Sequence, residues 1–170
     1  MLSTWEKSVC FLKKFRTLQT GLEGDVMDTY FDLGGYSFPV TTQSTEAQTW
    51  FDRGILWTYG YNHEEAVTCF ERAIDADPKC AMAHWGAGYA AGPNYNMPWD
   101  LFDHAGRAAA ARAGYAHARK ALDLIDGVMR WEAALIHALP ARYPQSDPLN
   151  PEAMKAWNAD FADAMRDVFA

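Results

Sequence analysis

The sequence predicts an all-α protein: antiparallel helix-turn-helix repeats forming a segment of α-solenoid, preceded by an irregular N-terminal leader. Three observations predict it. Alanine is abundant, above all across Ala105–Ala121, while strand-forming runs are scarce. From Ser44 onward apolar residues return every three to four positions, the spacing of one helix face. A shift of 34 residues then lays Ala47 on Ala81, Phe51 on Trp85, Gly54 on Gly88 and Ile55 on Tyr89.

Residues 1–43 form the leader. Trp5, Val9, Leu12 and Phe15 fall near one face of an opening helix over residues 1–20. Gly21, Gly24, Gly34, Gly35 and Pro39 then punctuate short aromatic pieces that are expected to pack onto the helices behind them.

The first repeat spans 44–78. Ser44 is the expected N-cap, with Glu46 at the positive end of the helix dipole. Ala47, Trp50, Phe51, Gly54, Ile55 and Trp57 or Thr58 follow at helical spacing, and Gly60-Tyr61-Asn62 turns the chain. Asn62 caps a second helix carrying Ala66, Val67, Phe70, Ala73 and Ile74, which ends at Asp77-Pro78.

The second repeat spans 79–125. Its first helix covers Cys80–Ala91, and a loop at 92–102 is inserted where a short turn belongs. Ala111, Tyr115 and Ala118 repeat the spacing of Ala66, Phe70 and Ala73 about eleven residues later than the period requires. Further helices fill 126–170. One lies over Val128–Ala138, with a loop at Ala141–Leu149, and the last opens with Asn150 as cap and Pro151 as first helical residue. Met154, Trp157, Phe161, Met165 and Val168 mark its apolar face, which runs to the end of the chain. Such a face needs covering. It is expected to meet further repeats, an N-terminal segment, or a second copy through self-association of the C-terminal helix.

Trp50, Gly54, Trp57, Ala66, Phe70, Ala73 and Pro78 stand at the offsets of a tetratricopeptide repeat, which this stretch resembles, and Gly88 takes the glycine position of the next unit. In such a repeat Gly54 and Ala66 let the helices approach, Trp57 and Phe70 fill the space between them, and Pro78 ends the second helix. Residues 30–170 further resemble the N-terminal part of a longer, poorly characterised family of bacterial and fungal tetratricopeptide proteins. The resemblance is carried by Tyr30–Val40, Cys80–Gly86, Gly92–Asn96, Glu132–Leu139 and Arg142-Tyr143-Pro144. Some fungal members sit in secondary-metabolite gene clusters, which sets a biosynthetic context and assigns no role.

Composition narrows the functions. The chain has 170 residues, a formal charge of −7 and 49% apolar residues. Phosphate binding needs clustered Lys and Arg, so an acidic chain is a poor nucleic-acid binder. The one basic cluster, Lys7, Lys13, Lys14 and Arg16, reads as a solvated helix face. No run approaches the ~18–20 apolar residues of a membrane span, and the N-terminus lacks the apolar core of a signal peptide. Cys10, Cys69 and Cys80 make an odd, irregular set that suits a reducing interior and a cytoplasmic location.

Candidate chemistry is sparse. No P-loop, nucleophile elbow, dinucleotide fingerprint or cysteine pair occurs, and the Asp100, Asp103 and His104 group has no spacing that demands catalysis. A catalytic role is therefore disfavoured and no cofactor is expected. Cys80 and His84 lie four apart on one helix, as paired metal ligands do, and His63 could meet them across the groove, although both positions also suit packing. His63-Glu64-Glu65 alone is a helix first turn rather than a zinc motif. Gly92–Trp99 offers Asn94, Tyr95, Asn96 and Trp99, a rigid, amide- and aromatic-rich loop that suits a peptide or small molecule but reads first as a structural insertion pinned to the helices by Tyr95 and Trp99. With Tyr89, these residues are the candidate ligand contacts.

The leading functional expectation is a scaffold that binds a protein or peptide partner in a groove lined by the first helix of each repeat. Capture of an acidic chaperone tail is disfavoured, because Phe51 and Ile55 replace the Lys and Asn it requires. The alternative is an accessory or catalytic component of a biosynthetic pathway, with a small molecule or metal near His63, Cys80, His84 and Asn94.

Overall fold

Ser44 starts the first helix as the sequence predicts: its side chain accepts a hydrogen bond from the Ala47 amide at 3.1 Å. The computed structural model describes residues 30–147 and 150–169. Expectations for the opening helix, its basic cluster, Cys10 and Leu149 lie outside the described residues. The chain divides into two compact units, Met1–Asp32 and Leu33–Ala170. Of the first unit only Tyr30–Asp32 are described, with the Tyr30 and Phe31 rings edge to face. All that follows concerns the second.

Among the described residues the fold is all-helical. Helix α1 spans Thr45–Tyr59 and α2 spans His63–Ala76. A three-residue turn joins them, so they pack antiparallel. Tyr61 takes a left-handed conformation there (φ 62°), and the Asn62 amide returns to the Trp57 carbonyl. Asn62 then caps α2 by accepting from the Glu65 amide at 3.3 Å. The facing sides bury Phe51 and Ile55 of α1 against Ala66, Phe70 and Ala73 of α2. Trp50 lies at the margin, with the Arg53 and Arg72 guanidiniums each 4.4 Å from its ring centre.

Helix α3, Ala81–Ala91, carries no Asp, Glu, Lys or Arg and is buried on nearly every side. A helix that is apolar all round belongs at the centre of a fold. It packs against α2 on one side and α4, His104–Asp123, on the other. The buried residues of α4 are Ala108, Ala110, Ala111, Gly114, Ala118 and Ala121, small enough for neighbouring backbones to approach closely. Asp103 is the N-cap of α4 and accepts from the Gly106 amide at 2.6 Å, which accounts for one member of the Asp100, Asp103 and His104 group.

Phe70 sets the spacing of the first three helices. A Cβ added at Gly54 of α1 would lie 2.6 Å from its ring, and one added at Gly86 of α3 would be closer still. The 34-residue shift pairs Gly54 with Gly88, yet in the packing it is Gly86 that shares Phe70 with Gly54. Gly88 instead faces Leu139, His117 and Gly114.

Helix α5 covers Arg130–Ala138 and begins two residues later than expected, because Gly127 takes a positive φ (83°) and Met129 stays extended. Part of the loop expected at Ala141–Leu149 is also helical. Pro140 lacks the N–H that would continue the α-helical ladder, so the chain tightens into a 3-10 helix over Leu139–Arg142.

Glu132, fully buried on α5, accepts from the Thr41 amide at 2.7 Å, the Thr41 hydroxyl at 2.5 Å and the Met129 amide at 2.7 Å. These bonds tie the leader to α5. Gln48 and Asp52 of α1 bind its Phe38 and Val40 backbone, and the Phe38 ring meets Trp131 edge to face at 4.9 Å. The last helix, α6, spans Pro151–Val168, with Asn150 as cap and Pro151 in its first turn. Its apolar face is buried at Met154 and Trp157, while Phe161, Met165 and Val168 are only partly covered.

Because Phe70 is held between two glycines, its ring cannot yield to one without striking the other. Gly86→Ala is expected to lower stability by ~1–3 kcal/mol, the usual cost of overpacking, read as a lower urea midpoint. A wild-type midpoint would mean that the ring is free to move.

Candidate functional site

The i, i+4 spacing on α3 places Trp85 and Tyr89 one above the other, their rings stacked at 5.1 Å and 12°. The Trp85 indole N–H is satisfied by the Leu135 carbonyl at 3.1 Å, so this ring is pinned. Phe161 of α6 approaches the half-buried Tyr89, ring centres 6.3 Å apart. The 3-10 helix delivers Arg142 to the same point. Its guanidinium carbon lies 4.9 Å from the Tyr89 ring centre and 5.1 Å from that of Phe161, within cation–π range of both. One guanidinium nitrogen donates to the Pro93 carbonyl.

Around this centre stand Tyr59 at the end of α1 and His63 at the start of α2. Tyr59 is 80% exposed, and its pKa is raised by shielding from water and then by the nearby phenols of Tyr89 and Tyr36. Partial burial lowers the pKa of His63; a backbone bond at Tyr61 opposes this and the Arg142 charge reinforces it. The result is an aromatic face with a guanidinium at its centre, assembled from α1, α2, α3, the 3-10 helix and α6.

Tyr89 is the one candidate ligand contact that belongs to this face. The others lie in the Gly92–Trp99 loop, where the Asn94 and Met97 backbones pair with each other. The Asn94 side-chain oxygen is spent inside its own turn, accepting from the Asn96 and Met97 amides at 2.9 and 3.1 Å. Tyr95 projects outward, 92% exposed. Trp99 is in the core, 1% exposed, edge to face with Tyr143 and Trp157, and so anchors the loop instead of presenting a contact surface.

His63, Cys80 and His84 are not gathered as a metal-ligand set: among the described residues no group of three or more His, Cys, Asp or Glu side chains could hold a metal ion. Cys80 is fully enclosed, and burial pushes its thiol up to about 11, leaving it protonated at neutral pH. His84 turns toward α4 and meets His117, the two Nδ1 atoms 3.3 Å apart. That contact needs one nitrogen to donate and the other to accept, so the two rings are not charged together.

Neither His117 nor Arg142 stood out in the sequence. The available signal for Arg142 was its isolation, since no carboxylate lies within four residues on either side. His117 carried no local signal, because its partner lies one helix away. A scan against protein-family models and searches of curated proteins and of solved structures find no match to the chain.

Burial lowers both histidines, with His84 falling to about 4 under the added effects of His117 and Lys120 against an opposing backbone bond at Pro78. The unfolded chain, with histidines near ~6.5, binds more protons below that pH. Stability is therefore complete above pH ~6.5 and is lost as pH falls toward 4, by up to ~1.4 kcal/mol per unit for each group. Urea midpoints measured from pH 7 to 5 should fall, and His84→Asn should flatten the fall. A variant that declines as steeply as the wild type would remove the pair from this role.

Proposed function

We propose that the chain is a recognition module of the tetratricopeptide type, binding an extended segment of a protein partner across the face centred on Tyr89. The observation that carries this reading is the part-open aromatic face itself. Tyr59 of α1 and Tyr89 of α3 come from the first helix of successive helix pairs, the positions from which such repeats present their ligand contacts. Rings with few rotatable bonds lose little entropy on binding and dominate recognition surfaces. Trp85 and Phe161 hold Tyr89 in place, so it meets a ligand already ordered.

Two further features support the repeat reading. The 34-residue spacing joins α1 to α3, and Phe70 lies on glycines of both. The tertiary arrangement also favours mixed recognition, with aromatic contact around one cation, over recognition by the loop, where the Asn94 side-chain oxygen is used within its own turn.

Selection from a random linear peptide library on the immobilised chain tests the proposal. Enriched peptides should bind ~5–30-fold more weakly to Tyr59→Ala, the loss typical of an aromatic contact residue, while its melting temperature stays unchanged because Tyr59 is exposed. Failure to enrich any sequence, or enrichment indifferent to Tyr59 and Tyr89, would overturn it.

A further inference from the structure

Arg142 is 8% exposed, yet no ion pair joins it to a carboxylate among the described residues. The ion pairs among the described residues lie elsewhere, at Arg112–Asp147, Lys155–Glu152 and Arg166–Asp163. A guanidinium offers five N–H donors, and the Pro93 carbonyl takes a single bond from it. The Tyr89 and Phe161 rings compensate part of the charge through their faces but accept no in-plane hydrogen bond. Trp99 Nε1 is the one fully enclosed side-chain nitrogen or oxygen without a partner among the described residues, so the unused Arg142 donors are not sealed off. A buried cation ordinarily has an anion beside it. Here the described residues supply none.

We propose that Arg142 is a binding site for a carboxylate carried by a ligand with an apolar or aromatic body, which packs against Tyr89 and Phe161. The guanidinium fork matches a carboxylate in a bidentate pair, and the Tyr89 and Phe161 rings flank it at cation–π distance. A carboxylate fits better than a phosphate for two reasons. A single cation stands here, and the chain's charge of −7 penalises each additional negative charge on the ligand. The inference rests on the recognition face proposed above and specifies the chemistry it would read. The carboxylate can belong to a free organic acid or to the C-terminus of a peptide.

Isothermal titration of the full chain with matched probes separates these cases. One pair is 3-phenylpropionate and 3-phenylpropionamide; the other is a tetrapeptide ending in phenylalanine with a free or an amidated terminus. Expected is at least a tenfold preference for the acid over its amide, lost in Arg142→Lys, which keeps the charge but not the planar fork. Preference confined to the small pair assigns the site to an organic acid, and preference in the peptide pair assigns it to a chain terminus. Equal affinity of acid and amide within both pairs, or no binding by any probe, overturns the carboxylate site. The wild-type acid-to-amide comparison stands even if Arg142→Lys fails to fold. Library peptides that depend on Tyr59 but bind equally as acids and amides would leave the recognition face in place and remove only this inference.

Discussion

Tyr143 is the pivot on which the second half of the structure turns. Its hydroxyl donates to the Gly88 carbonyl of α3 at 2.7 Å, and its ring occupies space that a Cβ at Gly92 or Gly114 would fill. A fully buried phenol must find an acceptor, and a helix carbonyl beside a glycine can be reached without steric obstruction. Burial raises the Tyr143 pKa, which keeps it a donor. One side chain thereby holds α3, α4 and the 3-10 helix together, with Trp99 against its edge. Arg142 is the preceding residue, so the anchor that closes the core also delivers the guanidinium to Tyr89 and Phe161.

Close approach recurs throughout the fold and explains its composition. Phe70 needs glycines on two helices, Tyr143 needs them on α4 and at the end of α3, and the α3–α4 contact needs a run of alanines. Small residues bring backbones near enough for a few large rings to fill the remaining volume. Buried polar groups serve the same end. Glu132 joins the leader to α5 across 91 residues of sequence, and the histidine pair joins α3 to α4. The core is thus assembled from few, specific, long-range contacts, and the aromatic face lies where several of them meet.

Helix ends were the most legible part of the sequence, because capping is decided within four residues. Ser44, Asn62 and Asn150 each accept the amide three positions on, as their chemistry requires. The apolar period of α1 and α2 was equally plain. Gly92–Trp99 was legible as a loop, and the expectation that Trp99 pins it to the helices agrees with its place in the core, whereas Tyr95, expected to do the same, projects outward. Asn94, a candidate ligand contact, closes its own turn.

By itself the sequence determined helical content, the boundaries of most helices and which faces had to be buried, since these follow from local hydrogen bonding and from period. Tertiary structure alone decided that His84 meets His117, that Cys80 is sealed away, and that Arg142 stands between two rings with no carboxylate paired to it among the described residues. Each of those outcomes depends on which helices become neighbours, and no spacing along the chain encodes the distance between side chains on different helices. The face around Tyr89 draws on five elements for this reason, and it came into view only once they had been brought together.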